Sequence, residues 1–153
     1  MAGPSRTGPS PTSLGCPVEV ELEIAPSSVH LPAIRLAAKD VLAGIAAGVA
    51  DDVLLALDEA VSNAIRHGSA SGRPIRVAMA LQRGWIEMAV QDHGPTPRLP
   101  RLPTDQPVPL ASGGRGLWLI LQLVDEVRLA RVGEGTLLSL RRRAEARTGV
   151  TWP

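Results

Sequence analysis

The 153-residue chain carries 16 basic against 15 acidic side chains, a formal charge of +1 that creates no long-range field, so direct nucleic-acid binding as its main work is excluded. Its residues are 44% hydrophobic, yet the only aromatic rings are three Trp, which suits one soluble domain with an aliphatic core and few platforms for base stacking. The longest run of large apolar side chains, Leu117 to Leu121, falls far short of the ~18 residues of a membrane span, and Cys16, alone, can form neither an internal disulfide nor a zinc cluster of thiolates. A reducing cytoplasm is the expected setting.

Residues 1–17 are rich in Pro, Gly, Ser and Thr and have no apolar h-region, so they read as a flexible tail and not as a signal peptide. From Val18 to Ile24 the alternation VEVELEI predicts a half-buried strand that Pro26 ends. Ser27 and Ser28 offer N-caps for a helix to about Ala47, with Leu31, Ile34, Ala38, Val41, Leu42 and Ile45 as its apolar stripe. A second helix is expected from Asp51, a capping carboxylate, to Gly68, with Val53, Leu57, Val61, Ala64 and Ile65 on one face. Two alternating runs, Ile75 to Gln82 and Ile86 to Val90, joined by Arg83-Gly84, predict a β-hairpin.

Asp92-His93-Gly94 ends that hairpin. Six prolines, at 95, 97, 100, 103, 107 and 109, then exclude a helix or central strand, and so long a loop inside a compact domain suggests a lid. After Gly113, Gly114 and Gly116 comes a short apolar helix, Leu117 to about Glu126, then strands Val127 to Val132 and Thr136 to Arg142 around a Gly-Glu-Gly turn. Trp118 and its leucine neighbours read as core, Arg141 to Arg143 as a solvated end, and residues 143–153 as a basic tail. The order strand, helix, helix, hairpin, loop, helix, hairpin implies an α+β, two-layer sandwich over residues 18–142, with helices on one face of a mixed, mainly antiparallel sheet.

Three clusters can carry chemistry. Glu59 and Asn63 are four apart on the second helix, roughly opposite its apolar face, where polar residues are most often merely solvated. Asp92 at a strand end can accept from an exocyclic amine, and Gly94 beside it lets a flat ring approach the backbone. The backbone N–H groups of Gly113-Gly114-Arg115-Gly116, at a helix N-terminus, suit phosphate oxygens. No glycine loop precedes the only lysine, Lys39, which excludes a Walker-type site, and His30, His67 and His93 lack metal-ligand spacing. His67, beside Gly68, reads as a helix C-terminal residue facing the dipole.

Taken in order, LDEAVSNAIRHG (57–68), VQDHGP (90–95), GGRGLWLI (113–120) and GEGT (133–136) resemble the N, G1 and G2 boxes and terminal Gly-Thr of the GHKL (histidine-kinase-like) ATPase superfamily. Within it they look most like the single-domain anti-sigma-factor serine/threonine kinases of bacterial partner-switching pathways. The resemblance implies the Bergerat ATP-binding fold, ATP and Mg²⁺ as cofactors, and two protein partners: a STAS-type anti-sigma antagonist, phosphorylated on serine, and a sigma factor, sequestered. A homodimer is compatible with it, and no membrane or direct nucleic-acid contact is implied.

By the same resemblance Asn63 would ligate Mg²⁺ and Glu59 would act as general base towards the serine hydroxyl. Asp92 would bind the adenine amine, with Gly94 making room for the ring and Thr136 reaching the same side. Gly114 and Gly116 would close on the phosphates, Arg115 would contact a phosphate or a partner, and Arg35 would contact a partner. One position departs from the family pattern: Thr96 stands where the G1 box has its second glycine, and a β-branched residue disfavours positive φ. Two classes of function therefore stay open, a protein-serine kinase, which Glu59 and Asn63 favour, and a non-catalytic module that only holds a partner, which Thr96 favours. A sensor histidine kinase is disfavoured, since the chain leaves no length for a dimerisation helix pair with a phospho-accepting His.

Overall fold

A computed structural model of the chain describes residues 19–68, 72–94, 102–104 and 115–145. The expected N-terminal tail, the glycines at 113 and 114, Thr96, most of the proline-rich loop and the last eight residues lie outside the described residues.

Five strands, β1 (Val20–Ile24), β2 (Ile75–Gln82), β3 (Trp85–Gln91), β4 (Glu126–Val132) and β5 (Gly135–Arg143), form one sheet in the order β1-β2-β3-β5-β4. All four pairings are antiparallel, so the sheet is not mixed. Helices α1 (Leu31–Val41), α2 (Ala47–Gly68) and α3 (Arg115–Leu123) cover one face, giving the expected α+β sandwich. The alternating strand pattern sends Ile75, Val77, Met79, Ile86, Met88, Val90, Leu138 and Leu140 into the layer between sheet and helices. There they meet Ile34 and Ala38 of α1, Val53, Leu57 and Val61 of α2 and Ile120 of α3. Among the described residues no helix is long and apolar enough to cross a membrane.

The hairpin turn follows its local chemistry: Arg83 and Gly84 both have positive φ, 51° and 77°, the mirror-image geometry that matches strand twist, and Gln82 pairs with Trp85 across it. Ser27 caps a short 3-10 turn, Ser28–His30, by accepting the Val29 N–H at 3.4 Å.

Helix boundaries differ from the periodicity reading. The first helix stops at Val41, well before Ala47. The Leu42 N–H bonds back to Ala38, and Ile45 reaches the core from a turn in which its N–H bonds to Leu42, Gly44 being a poor helix former. The second begins at Ala47, not at Asp51, because the Ala46 N–H is taken by the Glu145 carbonyl at 2.7 Å from the far end of the chain, a long-range partner that no local pattern announces. The third runs from Arg115 to Leu123 and Glu126 belongs to β4. In it Leu117, Ile120 and Leu123, spaced by three, turn to the core, whereas Trp118, read as core, is half-buried to one side, since a helix that short can present only one face.

Arg141 and Arg142 are likewise not part of a solvated end, although Arg143 is exposed. Arg141 bridges Glu87 at 3.0 Å and Glu126 at 3.1 Å, and with Arg143 it stacks on Trp85 on the sheet's outer face. Arg142, on the helical side, pairs with Asp52 at 3.2 Å and Asp125 at 3.6 Å and so ties β5 to the start of α2. β5 therefore extends through Arg143, and the Ala144 N–H bonds to the hairpin turn at Gly84.

Met88 is fully buried at the centre of the sheet while Leu36 on α1 is 67% exposed. Met88→Ala is expected to cost about 2–5 kcal/mol and Leu36→Ala no more than about 0.5 kcal/mol, as read from urea unfolding curves.

Candidate functional site

α2 has two working sides. Val53, Ala56, Leu57, Ala60, Val61 and Ala64 face the core, and Glu59 and Asn63, one turn apart, share another stripe. Spacing alone suggests an open stripe, but both residues are half-buried, whereas Arg66 and His67 on the last turn are exposed. The cover is the start of α3. A Cβ placed on Gly116 would lie 2.9 Å from Asn63 Nδ2, 3.1 Å from Glu59 Oε2 and 3.2 Å from Asn63 Oδ1. The absence of a side chain at Gly116 thus lets the helix N-terminus, with its partial positive charge, pack directly against the Glu59 carboxylate and the Asn63 amide. Asn63 Oδ1 also accepts from Arg66 Nη2.

The second cluster lies at the ends of β3 and β5. Asp92 continues the β3–β5 ladder one step past the Gln91–Leu137 pair, its N–H donating to the Thr136 carbonyl at 3.0 Å. Its Oδ1 accepts the N–H of Thr136 at 3.1 Å and of Gly94 at 3.2 Å, so the buried carboxylate is oriented by two backbone donors. Among the described residues none donates to Oδ2, which leaves one acceptor oxygen for a ligand. Thr136 and Gly94 are buried beside it.

This arrangement depends on Gly135, which the sequence shows as part of a turn and of the terminal Gly-Thr motif but with no role of its own. A Cβ there would come within 2.0 Å of the Asp92 carbonyl oxygen and 2.8 Å of His93 Cα, backbone atoms that cannot step aside. The available signal was the second glycine of Gly133-Glu134-Gly135: one glycine, Gly133 with φ 59°, makes the turn, and the other has no local need.

The structure thus brings Glu59, Asn63 and Gly116 together, and separately Asp92, Gly94 and Thr136; Gly114 lies outside the described residues, and Arg115 is exposed at the first position of α3. Arg35 joins neither cluster. Its guanidinium is held by Asp58, with Nε 2.9 and 2.7 Å from the two carboxylate oxygens and Nη2 2.6 Å from Oδ2. That hydrogen bonding, reinforced by the charge of Asp58, raises the Arg35 pKa above its ordinary value. Asp58 precedes Glu59, so the pair fastens α1 to the helix that carries the first cluster.

Among the described residues no group of three or more His, Cys, Asp or Glu could hold a metal ion by itself. Asn63 Oδ1 is a neutral hard oxygen beside a helix N-terminus that suits phosphate. That donor set fits a cation such as Mg²⁺, which takes few protein ligands and completes its octahedron with water and phosphate oxygens.

Residues 24–142 match the family model described as the histidine kinase-like ATPase domain. Among proteins of curated function none matches this sequence. Several solved structures share the fold, two of them as follows. The RsbU and RsbW domains of Rv1364c from Mycobacterium tuberculosis superpose with a TM-score of 0.64 at 24% identity, over 86% of this chain and 33% of that one. The histidine kinase domain of the Erythrobacter litoralis EL346 blue-light activated histidine kinase gives 0.51 at 19% identity, over 78% of this chain and 61% of that one. The chain therefore spans about a third of the first and three fifths of the second.

Gly135→Ala should destabilise the fold by about 1–3 kcal/mol through overpacking against backbone. Gly48→Ala is its control: with nothing within 4 Å, it should stabilise α2 by about 0.4–1 kcal/mol. Denaturant midpoints of the two variants moving in opposite directions from wild type are the expected result.

Proposed function

Because the chain belongs to the histidine kinase-like ATPase domain family, we propose that it binds ATP with Mg²⁺ and acts as a serine/threonine-protein kinase on a STAS-type anti-sigma antagonist, sequestering a sigma factor when that antagonist is not engaged. The observation that carries this reading is the seat of Gly116 on Glu59 and Asn63, which puts a phosphate-binding helix end against a potential base and a potential metal ligand. The four ordered motifs that resemble anti-sigma kinases support the partner class, and a cytoplasmic setting follows from that regulatory role.

In this reading Asp92 accepts the adenine amine on Oδ2, since Oδ1 is already committed to Gly94 and Thr136, and the hydroxyl of Thr136 serves the same face of the ring. Gly94 keeps the approach to the ring free of side chains. Asn63 would hold Mg²⁺ through Oδ1, and the ion, when bound, neutralises charge on the phosphates. Gly116, with Gly114 before it, directs amides at the phosphate oxygens, and Arg115 adds a positive charge at the same end. Glu59 takes the proton of the serine hydroxyl as its oxygen bonds to the γ-phosphorus and the bond to the β-phosphate oxygen breaks, leaving ADP and phosphoserine. Arg35, with its Nε edge bound to Asp58, keeps its Nη1 side for an acidic group of a partner, beside the exposed apolar Leu36.

Thr96 favours a second reading, a module that holds nucleotide and partner without transferring phosphate, and one comparison of variants separates the two. Asp92→Asn should weaken nucleotide binding by about 1.5–3 kcal/mol in titration calorimetry, through loss of a charge-assisted acceptor. Glu59→Gln should leave binding nearly intact and slow phosphotransfer by about 10²- to 10⁴-fold. Asn63→Ala should impair both. Incubation with labelled ATP, Mg²⁺ and the small antagonist protein encoded nearest to it should place label on serine; a wild-type protein that binds nucleotide and a sigma factor but transfers no label would establish the non-catalytic reading instead.

A further inference from the structure

The oxygen assigned to the metal is already bound to a cation. Arg66 lies one turn beyond Asn63 on α2 and its Nη2 donates to Asn63 Oδ1. A guanidinium has only donors, so this contact also determines which end of the Asn63 amide is oxygen, with the amide wedged between Arg66 and the start of α3 at Gly116. An amide oxygen has two lone pairs, but a guanidinium and a divalent ion sharing it would stand about 4 Å apart, where like charges repel.

We propose that Arg66 is a competing cation for Asn63 Oδ1, which keeps the amide oriented in the free protein and raises the concentration of divalent ion needed to load the site. The inference rests on the reading of Asn63 as the metal ligand. Arg66 is exposed and sits in the last turn of α2, where the helix dipole favours a positive charge, so leaving Oδ1 does not strand a buried cation. Loading of the metal is then an exchange of one cation for another. Arg66 is thus a positioning residue that sets how far the site depends on divalent ions, through Asn63.

The test uses the full chain, with a fluorescent methylanthraniloyl-ATP as probe titrated with MgCl₂ and, in parallel, in EDTA. Arg66→Gln should lower the half-saturating Mg²⁺ concentration about three- to tenfold, the range for an exposed charge-assisted hydrogen bond, and leave the dissociation constant in EDTA within about twofold. Arg66→Lys, which keeps the charge but loses the planar fork, should fall between Arg66→Gln and wild type. An unchanged Mg²⁺ requirement in Arg66→Gln overturns the inference, as does weakening by the same factor with and without Mg²⁺, which would make Arg66 a phosphate contact instead. If wild type binds no probe, the nucleotide reading itself fails. The exchange is then decided without nucleotide by Mn²⁺-induced broadening of the Asn63 side-chain amide resonances. Broadening at lower Mn²⁺ in Arg66→Gln than in wild type supports it, and equal broadening overturns it.

Discussion

One constraint underlies the rest of the structure: two backbones must approach each other at the end of the sheet more closely than any side chain allows. Gly135 meets that demand against the carbonyl of Asp92. The approach lets the β3–β5 ladder run one residue further, so that the Asp92 and Thr136 backbones bond in register and the Thr136 N–H reaches the Asp92 carboxylate. A buried carboxylate would otherwise be costly, and two backbone donors on one oxygen offset that cost while leaving the other oxygen open. The same ladder carries Leu138 and Leu140 into the core and Arg142 to its acidic partners, so the Asp92 end and the packed end of β5 share one register.

A second glycine solves the matching problem on the helical side. α2 must bury an alanine- and valine-rich face on the sheet and still offer Glu59 and Asn63 to a neighbour. Small residues at 56, 60 and 64 let it lie close to the sheet, and the bare Gly116 lets α3 close over the polar stripe. Glycine is used in both places for close approach and not for positive φ. The turns at Gly84 and Gly133 use the other property of the residue. The lack of Phe and Tyr is met by aliphatic packing throughout, and Trp85 is spent outside the core as a plate for two arginines.

Family membership and geometry support different parts of the functional reading. The family covers residues 24–142 and brings the fold and its ATPase class. The roles proposed for Glu59, Asn63 and Asp92 come from the resemblance of the motifs, and the contacts at Gly116 and Thr136 are compatible with them. Arg35, bound to Asp58, fastens α1 to the stretch of α2 that carries Glu59. Arg66 meets Asn63 from the last turn of the same helix.

Much of this was legible in the sequence. Period-two alternation located β1, β2 and β3, because each of these strands turns its larger apolar side chains to the helical face, while the opposite face of β2 and β3 buries only the small Ala78, Ala80 and Ala89. The two-residue turn at Arg83-Gly84 and the stop at Gly68 were set by local backbone chemistry, and the ordered motifs placed Glu59, Asn63, Asp92 and Thr136 on helix and strand ends as observed. What sequence could not decide were the outcomes that depend on distant partners. Ala46 starts α2 early because the Glu145 carbonyl waits nearly a hundred residues later in the chain, and Arg141 and Arg142 are drawn into ion pairs with Glu87 and Asp52 where charge alone suggested a solvated end. Trp118 turns aside because a two-turn helix has one buried face. Gly135 matters through the Asp92 backbone that the fold brings within reach of it. Local composition determines which residues can turn, cap or alternate; only tertiary packing determines which backbone atoms and which charges come to share the same few ångströms.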